Sequence, residues 1–174
     1  TLSWFVIAVF SAIPFYLSDI GLNFTDSFFE SMSGITTTGA TVIDALDDQS
    51  RGILIWRSLL QWLGGIGIIV MAVAVLPMLQ IGGMQLFRLE SSDASDKILP
   101  RATQIAGSLT LLYLTLTLLC TLAYKFSGMG LFDSLAHSMT TISTGGYSTH
   151  NESFKYFDNA MIDYMAIIFM ILGS

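Results

Sequence analysis

Two stretches of this sequence gather hydroxyl groups and glycines in a chain otherwise rich in Leu, Ile, Phe and Met: "ESMSGITTTGAT" at 30–41 and "SMTTISTGGYST" at 138–149. What they offer a ligand is oxygen, from Thr and Ser hydroxyls and from backbone carbonyls. Gly39, Gly145 and Gly146 permit positive φ. With successive carbonyls turned one way, such a loop can replace the hydration shell of a monovalent cation. No carboxylate lies between Gly34 and Ile43 or between Thr140 and His150. That argues against a divalent site, because hard divalent cations recruit Asp or Glu. A second chemistry is hydrolytic: Ser33, before Gly34, imitates a serine nucleophile, with His137 or His150 as base. Against it, the Ser-Gly pair is absent from the second stretch, and neither histidine has an evident orienting carboxylate.

The elements that must position these loops follow from composition. Of 174 residues, 53% are hydrophobic and only 11% charged, and the mean hydropathy is +0.67. Globular domains carry about 25% charged residues, so the bilayer is the expected solvent. Ser58–Phe87 and Ala102–Tyr124 contain no Asp, Glu, Lys or Arg, and each exceeds the ~20 residues that a spanning helix needs. Thr1–Ser18 supplies most of a third span; it has no basic leader, contains Trp4 and lacks a small-residue cleavage site, which argues against a signal peptide. The apolar run from Tyr164 to Ser174 is too short to cross, so we read the chain as a fragment cut inside its last helix. Arg88, Lys97 and Arg101 crowd the connector between the second and third spans, which places that connector in the cytoplasm. A net charge of −6 offers no basic patch for nucleic acid. Lone Cys120 permits neither a disulfide framework nor a thiolate metal site.

The two loops belong to a repeat. Laid over each other 107 positions apart, "DSFFESMSGITTTGAT" (26–41) and "DSLAHSMTTISTGGYS" (133–148) are identical at seven of sixteen positions, among them Ser31/Ser138, Thr37/Thr144 and Gly39/Gly146. Each copy sits between apolar runs. The chain therefore divides into a first span–short helix–loop–span unit at 1–86, a connector at 87–102 and a second unit at 103–174. Asp26 or Ser27, with Glu30 in a capping box, is expected to start the first short helix, and Asp133 and Ser134 the second. Some twelve helical residues at ~1.5 Å rise reach about 18 Å, enough to enter a bilayer but not to cross it. The chain must then return as extended backbone, tolerated at that depth only inside protein or beside water.

"TGGYS" (144–148) resembles the TVGYG filter of potassium channels. With the degenerate first copy "TTGAT", with "WRSLLQWLGGIGIIVMAVAVLPMLQIGGMQLFRLE" (56–90) and with "HSMTTISTGGYSTHNESFKYFDN" (137–159), the chain resembles the TrkH/KtrB/HKT superfamily of potassium uptake proteins along essentially its whole length. The resemblance implies an all-α membrane protein of the bacterial inner membrane. Tandem repeats of transmembrane helix, reentrant pore helix with extended filter loop and transmembrane helix would surround a pore, and this chain holds two of four. It also implies potassium ion transport with potassium as the permeating ligand, no catalysis, no cofactor, and Thr37, Thr38, Gly39, Thr144, Gly145 and Gly146 as potassium-coordinating positions. A homodimer and a cytoplasmic nucleotide-binding regulatory subunit are the implied partners. A non-conducting membrane scaffold is the competing reading for a half-transporter.

Other residues carry plainer expectations. "LGGIG" (63–67) suits close helix packing through small residues. Arg57 is expected to snorkel to the outer interface, with attraction to Glu30 or Asp26 at the outer mouth as the lesser alternative, His137 to be a packed hydrogen-bonding residue and His150 to be solvated. Asp44, Asp47, Asp48, Glu152 and Asp158 are placed to draw cations towards an outer vestibule.

Overall fold

A computed structural model describes the backbone of residues 2–84 and 98–174 and the side chains of residues 2–71 and 104–174. Among the described residues the regular structure is helical throughout: α1 (Leu2–Leu17), α2 (Phe24–Ile35), α3 (Arg51–Met84), α4 (Ile98–Phe126), α5 (Leu131–Ile142) and α6 (Ala160–Gly173), with 3-10 turns at Leu46–Asp48 and Ser153–Phe157. Two of these helices, α3 and α4, are long and apolar enough to cross a bilayer, and α1 and α6 are apolar but shorter. The connector expected at 87–102 falls outside the described residues up to Ile98, where α4 begins, and so do Arg88 and Lys97. Arg101 is described as helical backbone only.

The outer faces of these helices are apolar. Leu111, Leu118 and Ile171 are each more than half exposed, the reverse of the arrangement that water favours. Inside, α2 lies between α1 and α3, α5 lies between α4 and α6, and α3 also packs on α5 and α4. Two apolar cores result. Ala8, Phe15, Ile35 and Leu60 anchor the first, and Tyr113, Cys120, Tyr124 and Ile142 anchor the second. Trp62, Ile66 and Ile69 of α3 reach into the second core, so α3 serves as a wall for both.

Glycines allow the closest approaches. A Cβ on Gly64 of α3 would overlap the carbonyl oxygen of Ile35 at the end of α2, and one on Gly173 of α6 would come within 2.5 Å of the carbonyl oxygen of Ile142 at the end of α5. The small residues of "LGGIG" thus admit the tip of a short helix rather than a phosphate.

The starts of the short helices differ from the capping boxes expected. Asn23 caps α2 by accepting the Asp26 amide at 2.9 Å, and Ser27 bonds back to the Asn23 carbonyl. Glu30 is turned inward because Arg57 awaits it there. At α5 the cap is Gly130, with no side-chain bond; Ser134 bonds back to its carbonyl. Asp133 is drawn instead to the Thr149 hydroxyl at 2.8 Å.

Candidate ion-coordinating site

Both short helices end in the same device. The amides of Thr37 and Thr38 reach back to the carbonyls of Gly34 and Ser33, and those of Thr144 and Gly145 to Thr141 and Thr140. This is the paired-bond Schellman closure, which needs a left-handed residue after the cap. Here the residue is a threonine each time, Thr37 at φ 54° and Thr144 at φ 51°. A β-branched side chain avoids that region, so both positions store strain of the kind found at functional sites. Two residues on, Gly39 and Gly146 have φ of 81° and 83°. Gly145 does not share this conformation, contrary to the sequence expectation. It is glycine for want of room, since a Cβ there would overlap the side chain of Gln61.

The six candidate positions come together at one place. A Cβ on Gly39 would overlap the Gly145 carbonyl oxygen and lie 3.6 Å from the Gly146 Cα, so the two loops touch backbone to backbone. Thr38, Thr144 and Gly146 are exposed, Thr37 and Gly39 are half-buried and Gly145 is buried. Nothing lies within 4 Å of a Cβ built on Gly146, which faces open space. On the side of the helix ends, a cavity of about 220 Å³ is lined by Thr37, Thr144, Ser143, Gly65 and Tyr113. The partial negative charge of two helix C-termini is directed towards this region.

Behind the loops lies a polar network of which the sequence suggested only one link, the attraction of Arg57 to Glu30, as a lesser alternative. Arg57 does not snorkel. It is 1% exposed, and its Nε donates to Glu30 Oε1 at 2.7 Å. Its Nη1 donates to the Ser148 carbonyl at 3.0 Å and its Nη2 to Thr41 Oγ1 at 2.9 Å. The guanidinium lies 4.1 Å from the centre of the Tyr147 ring. Snorkelling loses because the Glu30 carboxylate, the Ser148 carbonyl and the Thr41 hydroxyl satisfy the cation inside. Glu30 in turn accepts the Thr41 hydroxyl and the Val42 amide, each at 3.0 Å.

One turn further along α3, Gln61 is fully buried; its Nε2 donates to the Gly145 carbonyl at 2.8 Å and its Oε1 accepts the Tyr147 amide at 3.1 Å. The Tyr147 hydroxyl crosses to the first loop, donating to the carbonyls of Glu30 at 2.9 Å and Ala40 at 3.2 Å. A signal for this network was present: Arg57 and Gln61 are polar residues four apart in an apolar helix, and polar groups at membrane depth mark function by default.

The hydrolytic constellation does not form among the described residues. The Ser33 hydroxyl donates to the Ala40 carbonyl at 2.6 Å. His137 is fully buried, bonded to the Asp133 carbonyl and Ser148 Oγ and edged by Phe154 and Phe157. His150 is not the solvated residue expected. It stacks on Tyr156 at 3.5 Å and donates from Nδ1 to Asp47 at 2.6 Å, joining the turn after the first loop to the end of the second. This hydrogen bond holds the Asp47 carboxyl below its ordinary range. Asn151 ties the same two segments by accepting the Leu46 amide at 2.8 Å.

Residues 1–174 match the family described as TrkH, cation transport protein. The chain is 47% identical over 176 residues to the Trk system potassium uptake protein TrkH of Escherichia coli K12, covering 99% of this chain and 36% of that protein. It is 45% identical over 175 residues to the Trk system potassium uptake protein TrkI of Halomonas elongata, covering 100% of this chain and 36% of the relative. The crystal structure of the potassium transporter TrkH from Vibrio parahaemolyticus superposes with a TM-score of 0.84 at 42% identity, over 98% of this chain and 34% of that one. The chain thus spans about a third of the length of these relatives.

Proposed function

The chain belongs to the TrkH family of cation transport proteins, and from that premise we propose that it supplies two of the four loops of a potassium-selective pore in a bacterial inner membrane. In this reading α2 and α5 are reentrant pore helices. Thr37, Thr38, Gly39, Thr144, Gly145 and Gly146 form the filter segments, and each short helix with its flanking spans is one repeat. Potassium loses its water to loop oxygens and passes without covalent chemistry.

The observation that carries this reading is the contact of two glycine loops, each launched from the C-terminus of a twelve-residue helix by a left-handed threonine. A protein that needed only turns would put glycine at those two positions. The relatives named above, potassium uptake proteins at about the same identity along the whole chain, point the same way. A homodimer and a cytoplasmic nucleotide-binding subunit complete the proposal, and light scattering of the purified full-length protein with and without that subunit checks them.

The deciding experiment is Gly146→Ser in the full-length protein, with uptake measured in potassium and in sodium. The substitution strains a residue at φ 83° and sends a hydroxymethyl group into open space, so discrimination against sodium is expected to fall. Unchanged uptake and discrimination would remove the assignment. Absence of ion flux from the unsubstituted full-length protein would favour the scaffold instead.

A further inference from the structure

The second loop turns its consecutive carbonyls in opposite directions. Gln61 Nε2 donates to the carbonyl of Gly145, while Gln61 Oε1 accepts the amide of Tyr147. No cis peptide occurs among the described residues. In a trans peptide the N–H and the preceding C=O point opposite ways. The Tyr147 N–H faces Gln61, so the Gly146 carbonyl faces away from it. The Gly145 carbonyl is turned the other way, between the Gln61 amide and the backbone of Gly39, which has no room for a Cβ beside it. Burial agrees: Gly145 is buried, and Thr144 and Gly146 on either side are exposed.

We propose that Gln61 is a positioning residue that clamps the peptides on both sides of Gly146, aiming the Gly146 carbonyl at the ion and keeping the Gly145 carbonyl as a structural acceptor rather than an ion ligand. This rests on the proposed potassium pore and narrows it: in this loop the ion meets Thr144 and Gly146, and Gly145 serves its neighbour. By the correspondence of Gly64 with Gly173, the α6 counterparts of Arg57 and Gln61 are Ala166 and Met170, which carry no such amide.

The test uses the full-length transporter in proteoliposomes, with Gln61→Leu, Gln61→Glu and Gly146→Ser compared at matched protein levels. Gln61→Leu removes both bonds. Gln61→Glu keeps the shape and an acceptor for Tyr147 but loses the donor to Gly145, which guards against a variant that merely fails to fold. Breaking a buried hydrogen bond shifts a local equilibrium by about tenfold, so the potassium-to-sodium uptake ratio is expected to fall about tenfold in both variants. The change should appear in the KM for each ion, whereas loss of fold lowers only the amount of active protein. A Gln61→Ala, Gly145→Ala pair, which restores space without the amide, is expected to stay unselective; a purely space-filling role predicts recovery and overturns the proposal. Wild-type selectivity in Gln61→Glu together with loss of selectivity in Gly146→Ser overturns this inference alone. Selectivity kept in Gly146→Ser overturns the pore reading beneath it.

Discussion

Thr37 and Thr144 carry the strain of the site in single residues. Each closes a helix in a left-handed conformation that its β-branched side chain disfavours. Replacing Thr144 by Gly is expected to stabilise the folded protein by about 1 kcal/mol, read as thermal inactivation in detergent, while potassium uptake falls because a hydroxyl leaves the loop. Glycines 39 and 146 offer a contrast of a different kind. Gly39→Ala is strained at φ 81° and must also push the Gly145 carbonyl aside, whereas Gly146→Ala meets no neighbour and carries only the strain of φ 83°. The first is expected to reduce the amount of folded protein in the membrane strongly, and the second to reduce it less while altering ion discrimination. Immunoblots alongside flux assays separate the two. Arg57 is the largest fully buried side chain among the described residues, and Arg57→Met leaves Glu30 buried without its partner, at a cost of about 3–5 kcal/mol. A Glu30→Gln, Arg57→Met pair should recover part of that.

Among the elements, α3 does the most positioning. Its Gly64 touches the last carbonyl of α2, Gly65 lies beside Ser143, and Arg57 and Gln61 hold both loops. Gly64→Ala is expected to destabilise by about 1–3 kcal/mol, since the overlap is with backbone that has no rotamer to change. Gly107, exposed in the first half of α4, is the control: among the described residues nothing lies within 4 Å of a Cβ built there, so Gly107→Ala should stabilise by about 0.5–1 kcal/mol. Comparing melting temperatures of the two variants in one detergent tests both. The helices themselves were readable from the sequence, because apolar run length and the polar breaks between runs are local properties. The helix starts were not. Ser27 and Glu30 spell a capping box, yet Glu30 faces a cation 27 residues away and Asn23 takes the cap. A local motif was overridden by a distant charge. Arg57 was expected foremost to snorkel for the same reason: Glu30 was in view as a lesser alternative, but nothing in its own stretch announces that Thr41 and Ser148 converge on it as well.

At the scale of the whole molecule, the two halves are joined on one side by the glycine loops and on another by Asp47, His150, Leu46 and Asn151. The side-chain hydrogen bond from His150 holds the Asp47 pKa below its ordinary value of 3.8. A lowered carboxylate contributes stability above its unfolded value and loses it as pH falls through the folded one. The tie therefore acts at neutral pH and is released only in acid below pH 3.8. In His150→Ala, the Asp47 titration followed by carboxyl-carbon NMR should move back up towards that value. The contact of the two loops was legible because the repeat places Gly39 and Gly146 in register. The opposite turn of the Gly145 carbonyl was not, since it depends on one glutamine 84 residues away.

Glu30 and Arg57 have one more effect, which is felt at a distance. Sitting 2.7 Å apart behind the loops, they leave almost no net charge there, so in the proposed pore an ion would feel only the shorter-ranged field of a dipole. Unbalancing the couple should therefore act with opposite signs. Glu30→Gln uncovers a fixed positive charge and should weaken apparent potassium affinity. Arg57→Gln uncovers a negative one and should tighten affinity while slowing release. Concentration dependence of uptake per folded molecule, compared at low and high salt, tells the two apart: a dipole that is silent when whole becomes a barrier or a well when cut in half.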